Sequence, residues 1–291
     1  MAPMPQTPFH VWLTPIVEVG REVAPDQFRF NMATYGFIGG LDMMRNPNFS
    51  VGFTGGYTYT HIGWEQNLGK GNDNAFYLGT SFAYVNKGFY CGTFLQWAMN
   101  FYSIDRNIYM LQLNKVASLN HITHDFLSSL EMAYTATHEL APWLHGAFKP
   151  RLNLSFVQCY SSSFSEKGAG VMDLCFDSKN RVFFRALIDF TFRERIQLHM
   201  TDLAAIPEFA LGLMRTVPIG TADYAVNWNK TPFCEPNYTM QGYSGATILG
   251  TLELKLGFEE KECLHYGLRY FLSVGKEYIN NEGTVEFTYD F

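Results

Sequence analysis

Gly283-Thr284-Val285-Glu286-Phe287-Thr288-Tyr289-Asp290-Phe291 closes the sequence. Val285, Phe287, Tyr289 and Phe291 fall on one side of an extended chain, and Thr284, Glu286, Thr288 and Asp290 on the other. A strand places successive side chains on opposite faces, so this period of two reads as a strand with one apolar and one polar face.

The same alternation recurs upstream. Residues 49–59 set Phe49, Val51, Phe53, Tyr57 and Tyr59 against Ser50, Thr54 and Thr58. Residues 148–156 set Phe148, Leu152, Leu154 and Phe156 against Lys149, Arg151, Asn153 and Ser155. Residues 247–258 set Ile248, Leu252, Leu254, Leu256 and Phe258 against Thr247, Thr251, Glu253 and Lys255. Residues 264–274 set Leu264, Tyr266, Leu268, Tyr270 and Leu272 against His265, Arg269 and Ser273. These runs exceed the ~5–6 residues usual in globular sheets and match the ~9–11 that a tilted membrane strand needs.

Composition points the same way. Hydrophobic residues make up 47% of the 291 residues, with only 16% charged and 16% aromatic. Mean hydropathy is nevertheless −0.08, because apolar and polar residues are interleaved. A soluble domain carries about a quarter charged residues. A soluble β-sandwich would show short strands, more surface charge and fewer rings. The net charge of −6 argues against a nucleic-acid partner. No apolar run approaches the ~20 residues of a membrane-spanning helix.

Twelve strands are expected, at roughly 9–22, 26–42, 48–64, 74–86, 88–105, 124–138, 145–161, 181–197, 206–218, 244–258, 264–276 and 282–291. The fold class is therefore all-β: a transmembrane antiparallel up-and-down barrel of about twelve strands, in one domain over residues 9–291. The long connections, 106–123, 162–180 and 219–243, are the fifth, seventh and ninth, all odd. Bacterial barrels have short periplasmic turns and long extracellular loops, so this parity places both chain ends in the periplasm. Residues 170–176 also alternate and are read as part of a protruding loop.

In such a barrel the charges opposite the apolar rows face the lumen. The candidates are Arg29, Glu131, Lys149, Arg151, Arg185, Asp189, Glu253, Lys255, Arg269 and Glu286. Both signs are present, so ion pairs across the lumen are expected. Trp12, Tyr59, Trp64, Tyr102 and Trp143 are candidates for interfacial aromatic girdles.

The ordered motifs resemble the translocator domain of autotransporters, the type V secretion proteins. The resemblance rests on Val11-Trp12-Leu13-Thr14-Pro15, on Tyr35-Gly36-Phe37-Ile38-Gly39-Gly40-Leu41-Asp42 and on Val51-Gly52-Phe53-Thr54-Gly55-Gly56-Tyr57. It continues through Lys149-Pro150-Arg151-Leu152, Phe164-Ser165-Glu166-Lys167-Gly168 and Phe183-Phe184-Arg185-Ala186-Leu187. Richness in cysteine and phenylalanine resembles the polymorphic membrane proteins of chlamydia-like bacteria.

The resemblance implies an outer-membrane barrel that anchors, and assists passage of, an N-terminal passenger covalently joined to it and missing from this chain. Val285, Phe287, Tyr289 and terminal Phe291 then form the signal read by the barrel-assembly machinery, and the apolar rows meet outer-membrane lipid. Residues 1–8 are Pro-rich, show no signal-peptide pattern, and are too short for the family's pore helix, so they are expected to be an N-terminal extension or linker remnant. A porin-like channel, or a barrel acting as adhesin or hydrolase through its loops, is the alternative.

Chemistry finds little support. His121-Ile122-Thr123-His124-Asp125 is the best candidate cluster, but it lies in an expected loop where the two histidines do not converge on a metal. His138-Glu139 with His145 is weaker. There is no Gly-x-x-x-x-Gly-Lys loop, no nucleophile elbow and no implied cofactor. Cys91, Cys159, Cys175, Cys234 and Cys263 include no C-x-x-C pair. Cys91 and Cys159 read as small apolar strand residues.

Overall fold

Period-two alternation becomes structure along nearly the whole chain. The computed structural model describes residues 9–22, 29–46, 48–110, 113–141, 144–198, 203–220, 224–228, 238–240, 247–260, 264–276 and 278–290. Twelve long strands account for most of them. These are β1 (Phe9–Glu22), β2 (Phe30–Asn46), β3 (Phe49–Trp64), β4 (Gly69–Asn86), β5 (Phe89–Met110) and β6 (Leu113–Tyr134). They continue with β7 (Leu144–Ser161), β8 (Lys179–Gln197), β9 (Leu203–Ile219), β10 (Thr247–Glu260), β11 (Leu264–Val274) and β12 (Tyr278–Asp290). Beyond Thr135, β6 resumes as Ala136–Ala141, in the same register against β7 as far as Glu139 and with a shift before Ala141.

Each strand pairs antiparallel with the next. The sheet closes because β12 returns to β1, from His10↔Asp290 through Leu13↔Phe287 to Glu22↔Tyr278. Closure satisfies the edge hydrogen bonds that hydrocarbon cannot, which is why a sheet spans a membrane only as a barrel. Among the described residues the only helical turns are Glu65–Asn67 and Gly170–Met172.

The two rows of each strand have opposite characters. Leu13, Phe37, Leu78, Leu211, Leu254, Leu268 and Phe287 are exposed on the outside. Thr34, Thr58, Asn100, Ser155, Thr251, Ser273 and Thr284 are buried on the inside. An apolar exterior around a polar interior inverts the arrangement of a soluble protein and suits a lipid surround.

On the inner side of β2 and β3, glycine makes room for a ring. A Cβ at Gly40 would lie 2.6 Å from the Trp12 indole and 2.7 Å from the Phe53 carbonyl oxygen. Trp12 therefore lies across the wall and donates Nε1–H to Asp42 Oδ2 at 3.1 Å. At the β4–β5 turn, Lys87 and Gly88 have φ of 47° and 86°, the left-handed pair that matches a two-residue hairpin to strand twist.

The turns β2–β3, β4–β5, β6–β7, β8–β9 and β10–β11 share one end with both chain termini. The other six connections share the opposite end, and the two longest, after Ser161 and after Ile219, are among them. Residues 106–110 and 113–123 are strand, contrary to the expectation of a loop over 106–123. They extend β5 and β6 to 22 residues each and pair in register from Arg106↔Ala117 to Met110↔Leu113. Asn107, Asn114, Ser118 and Asn120 hide the strand pattern there, because a strand rising beyond the hydrocarbon needs no apolar row.

Residues 174–176 are a strand, but not of the barrel wall. Phe164–Ser165, Leu174–Phe176, Tyr224–Trp228 and Tyr238–Met240 form a separate four-stranded sheet that ties the two longest connections together.

Candidate functional site: the charged inner wall

Register, more than sequence proximity, assembles the inner wall. Asp189 of β8 pairs directly with Arg151 of β7. Arg151 Nε donates to Oδ1 and Oδ2 of Asp189 at 3.1 and 2.9 Å, and its Nη2 lies 2.7 Å from Oδ2. Arg151 also reaches Glu253 Oε2 at 3.7 Å. Glu253 accepts from Arg269 Nε at 2.8 Å, and Arg269 Nη1 donates to Glu282 at 3.3 Å. The result is a chain of alternating charge, Asp189–Arg151–Glu253–Arg269–Glu282, spanning β7 to β12. Lys255 pairs with Glu286 beside it, and Lys149 stands 4.0 Å from Glu131. Charge-assisted pairs of this kind are stronger than neutral hydrogen bonds, and Asp189, 2% exposed, is held where an unpaired carboxylate would be costly.

The structure separates one candidate, Arg29, from this row. Arg185 is on the same row but exposed, toward the loop end of β8. Arg29 is not on the inner row. It precedes β2, is exposed, and continues the strand register by accepting Glu65 N–H at 2.9 Å, which gives it the parity of outward Tyr35 and Phe37. Sequence reasoning missed Arg193–Glu208 at 3.3 Å, Arg195–Glu259 at 3.2 Å, Glu282 and Glu18. Arg193 and Arg195 share Asp189's parity, so period two alone points to them.

Three girdle candidates also turn inward. Trp12 binds Asp42, Trp64 lies on the inner parity of β3, and Tyr102 stacks on His121 at 5.0 Å. Tyr59 faces out and donates to Asn72 at 2.8 Å. Trp143 lies outside the described residues.

His121 through Asp125 belong to β6, not to a loop. Strand geometry sends His121 inward, between Tyr102 and Phe164 at 5.0 and 4.1 Å, and His124 outward onto Trp97 at 5.8 Å. Asp125 accepts from Asn100 Nδ2 at 2.7 Å. Among the described residues no three His, Cys, Asp or Glu side chains converge on a metal site. The side chains of His138, Glu139 and His145 lie outside the described residues, as do Cys234 and Cys263. Cys91, Cys159 and Cys175 are free, half-buried thiols.

The Phe164-Ser165-Glu166-Lys167-Gly168 segment locks the loop sheet to the β5–β6 hairpin. Glu166, 2% exposed, accepts from Arg106 Nε at 2.8 Å and from Leu174 N–H at 2.9 Å. Arg106 also donates to the Met172 carbonyl at 3.0 Å. Ser118 and Lys167 exchange backbone hydrogen bonds of 2.8 Å. Gly168 has φ +113°, and a Cβ there would meet the Val116 carbonyl at 2.7 Å. Glu166→Ala strips this clamp. In the refolded barrel it should raise the rate of tryptic cleavage at Lys167 roughly tenfold or more while leaving the barrel folded, because only local opening becomes easier. Limited proteolysis followed by mass spectrometry reads this directly.

The last strand carries Val285, Phe287 and Tyr289 on its outward row, with Phe287 and Tyr289 exposed and registered to Leu13 and Val11 of β1. Phe291 lies outside the described residues.

Comparison with known proteins adds the family. No curated protein matches the sequence. The solved structures it resembles include the translocator domain of the autotransporter NalP from Neisseria meningitidis, with TM-score 0.73, 14% identity, and coverage of 99% of this chain and 91% of that one. The β domain of the Bordetella autotransporter BrkA gives 0.72, 16%, 97% and 99%. The transport unit of AIDA-I from Escherichia coli gives 0.61, 13%, 100% and 92%. At such identities these likenesses establish the fold. The autotransporter beta-domain family matches by sequence over residues 11–215. The chain belongs to the autotransporter β-domain family and is an outer-membrane barrel for secretion or surface display of a passenger.

Proposed function

We propose that the barrel stands in the outer membrane with its termini and short turns in the periplasm and its two longest connections outside the cell. A passenger joined upstream of Phe9 then passes the charged inner wall or is anchored through it. The carrying observation is that every even-numbered connection shares one end with both termini, while the two longest share the other. A chain threaded from the periplasm can begin and end there only with an even number of strands.

In this role the inner charges Glu131, Lys149, Arg151, Arg185, Asp189, Glu253, Lys255, Arg269 and Glu286 line a polar lumen. Val285, Phe287 and Tyr289, leading to Phe291, offer the barrel-assembly machinery an outward row of apolar and aromatic side chains. The barrel supplies anchor and pore, and the energy of export comes from passenger folding outside or from assembly factors. The content of 26 phenylalanines and 5 cysteines supports placing it nearer the chlamydial polymorphic membrane proteins.

The test is topological. A signal peptide and an epitope-tagged reporter are fused ahead of Phe9, and further epitopes are inserted at 221–223 and at Lys87–Gly88. On intact Gram-negative cells the reporter and the 221–223 epitope should bind antibody and be removed by protease. The Lys87–Gly88 epitope should label only after the outer membrane is permeabilised. Labelling of Lys87–Gly88 on intact cells would reverse the proposed orientation.

A further inference from the structure

Barrel closure sets two acidic residues face to face. Glu18 of β1 and Glu282 of β12 are registered partners across the seam between the first and last strands. Both occupy the inner rows, since Val17 and Val19 on β1, and Phe287 and Tyr289 on β12, are the exposed ones. Like charges directly opposite on neighbouring strands repel.

Their compensation within the protein is incomplete. Glu282 Oε1 accepts from Arg269 Nη1 at 3.3 Å, but the same guanidinium also serves Glu253 at 2.8 Å. Glu18 is held by a neutral group, Asn280 Nδ2, at 2.7 Å, and no ion pair joins it to a cation among the described residues.

A second observation points to a missing partner. Asn280 is 8% exposed and Thr284 is 5% exposed, on the same row two residues either side of Glu282. Asn280 Oδ1 and Thr284 Oγ1 have no hydrogen-bond partner among the described residues. The amide that donates to Glu18 thus has its carbonyl oxygen free beside the carboxylate pair. Buried acceptors normally find a partner, because leaving water without replacement is penalised.

We propose that the seam binds a hard divalent cation, Ca²⁺ or Mg²⁺, between Glu18 and Glu282, with Asn280 Oδ1 as a further ligand and Thr284 Oγ1 at the edge of the site. The donor set is oxygen only, which suits these ions and not the softer transition metals. Lumen water completes the coordination. Two carboxylates place the affinity on the order of 10⁻⁴–10⁻³ M. The ion turns a repulsive contact at the closing seam into a cross-link between the first and last strands.

The experiment uses the full chain refolded in detergent micelles. Thermal unfolding is followed by circular dichroism in EDTA and in about 10 mM CaCl₂ or MgCl₂, an excess over that affinity. NaCl at matched ionic strength is the control. Wild type should melt a few degrees higher with a divalent ion than with NaCl. Glu18→Gln keeps an acceptor for Asn280 while removing the charge. It should melt higher than wild type in EDTA and lose the divalent shift. Asn280→Asp adds a third carboxylate and should melt lower in EDTA yet show a larger shift. A wild-type response no greater than that to NaCl overturns the proposal, as does a full divalent shift retained by Glu18→Gln. Should either variant fail to refold, wild type and the other variant still decide it.

Discussion

Asp189→Ala should destabilise the barrel by about 3 kcal/mol, the lower end of the cost of breaking a buried ion pair. Asp189 is 2% exposed and takes three contacts of 2.7 to 3.1 Å from Arg151. Its removal leaves a guanidinium in the wall whose remaining ion-pair partner among the described residues is the more distant Glu253, at 3.7 Å. That remaining partner is why the loss stays at the lower end. Asp189→Leu combined with Arg151→Met removes both charges and should cost less than Asp189→Ala alone, since neither partner is stranded. Guanidinium unfolding in micelles, followed by tryptophan fluorescence, measures both. A cost under about 1 kcal/mol for Asp189→Ala would show that the wall does not depend on this pair.

The second large effect separates the two rows of one strand. Leu95→Arg should cost about 2–4 kcal/mol in phospholipid vesicles, and Gln96→Arg within about 1 kcal/mol. Leu95 is exposed on the outward row of β5, while its neighbour Gln96 points inward. In lipid the first arginine must be desolvated or must snorkel, whereas the second meets a polar interior. The fraction of compact, fast-migrating barrel in unheated gels should fall with Leu95→Arg and stay near wild type with Gln96→Arg. Equal effects would mean that the outward row does not face hydrocarbon.

The contrast between Leu95 and Gln96 also shows what is legible in a β-barrel sequence. Parity along a strand is local: every second side chain faces one way, whatever the rest of the chain does. Arg151, Asp189, Glu253 and Arg269 could therefore be put on one side by counting. Where the local signal failed, a tertiary cause is visible. Residues 106–123 look like a loop because the hairpin they extend has no lipid to face. Trp12 and Tyr102 look like girdle residues, yet Gly40 opens space for one indole indoors and His121 offers the other ring a stacking partner. Arg29 shows an inner charge by type, but its register with Glu65 turns it outward.

The closing strand, with Val285, Phe287 and Tyr289 against Thr284, Glu286 and Thr288, carries the same division. By itself the sequence determined the twelve wall strands apart from the β5–β6 extension, the alternation of their two faces, the even strand number and the end at which short turns gather, because each follows from period and connection length. Only the tertiary structure decided which charges meet. Glu18 and Asn280 are 262 residues apart and join through the closure of β12 on β1. Arg151 reaches Glu253 across two intervening strands, β8 and β9. Such pairings depend on the register around the whole barrel, a property of the closed sheet that no stretch of one strand contains.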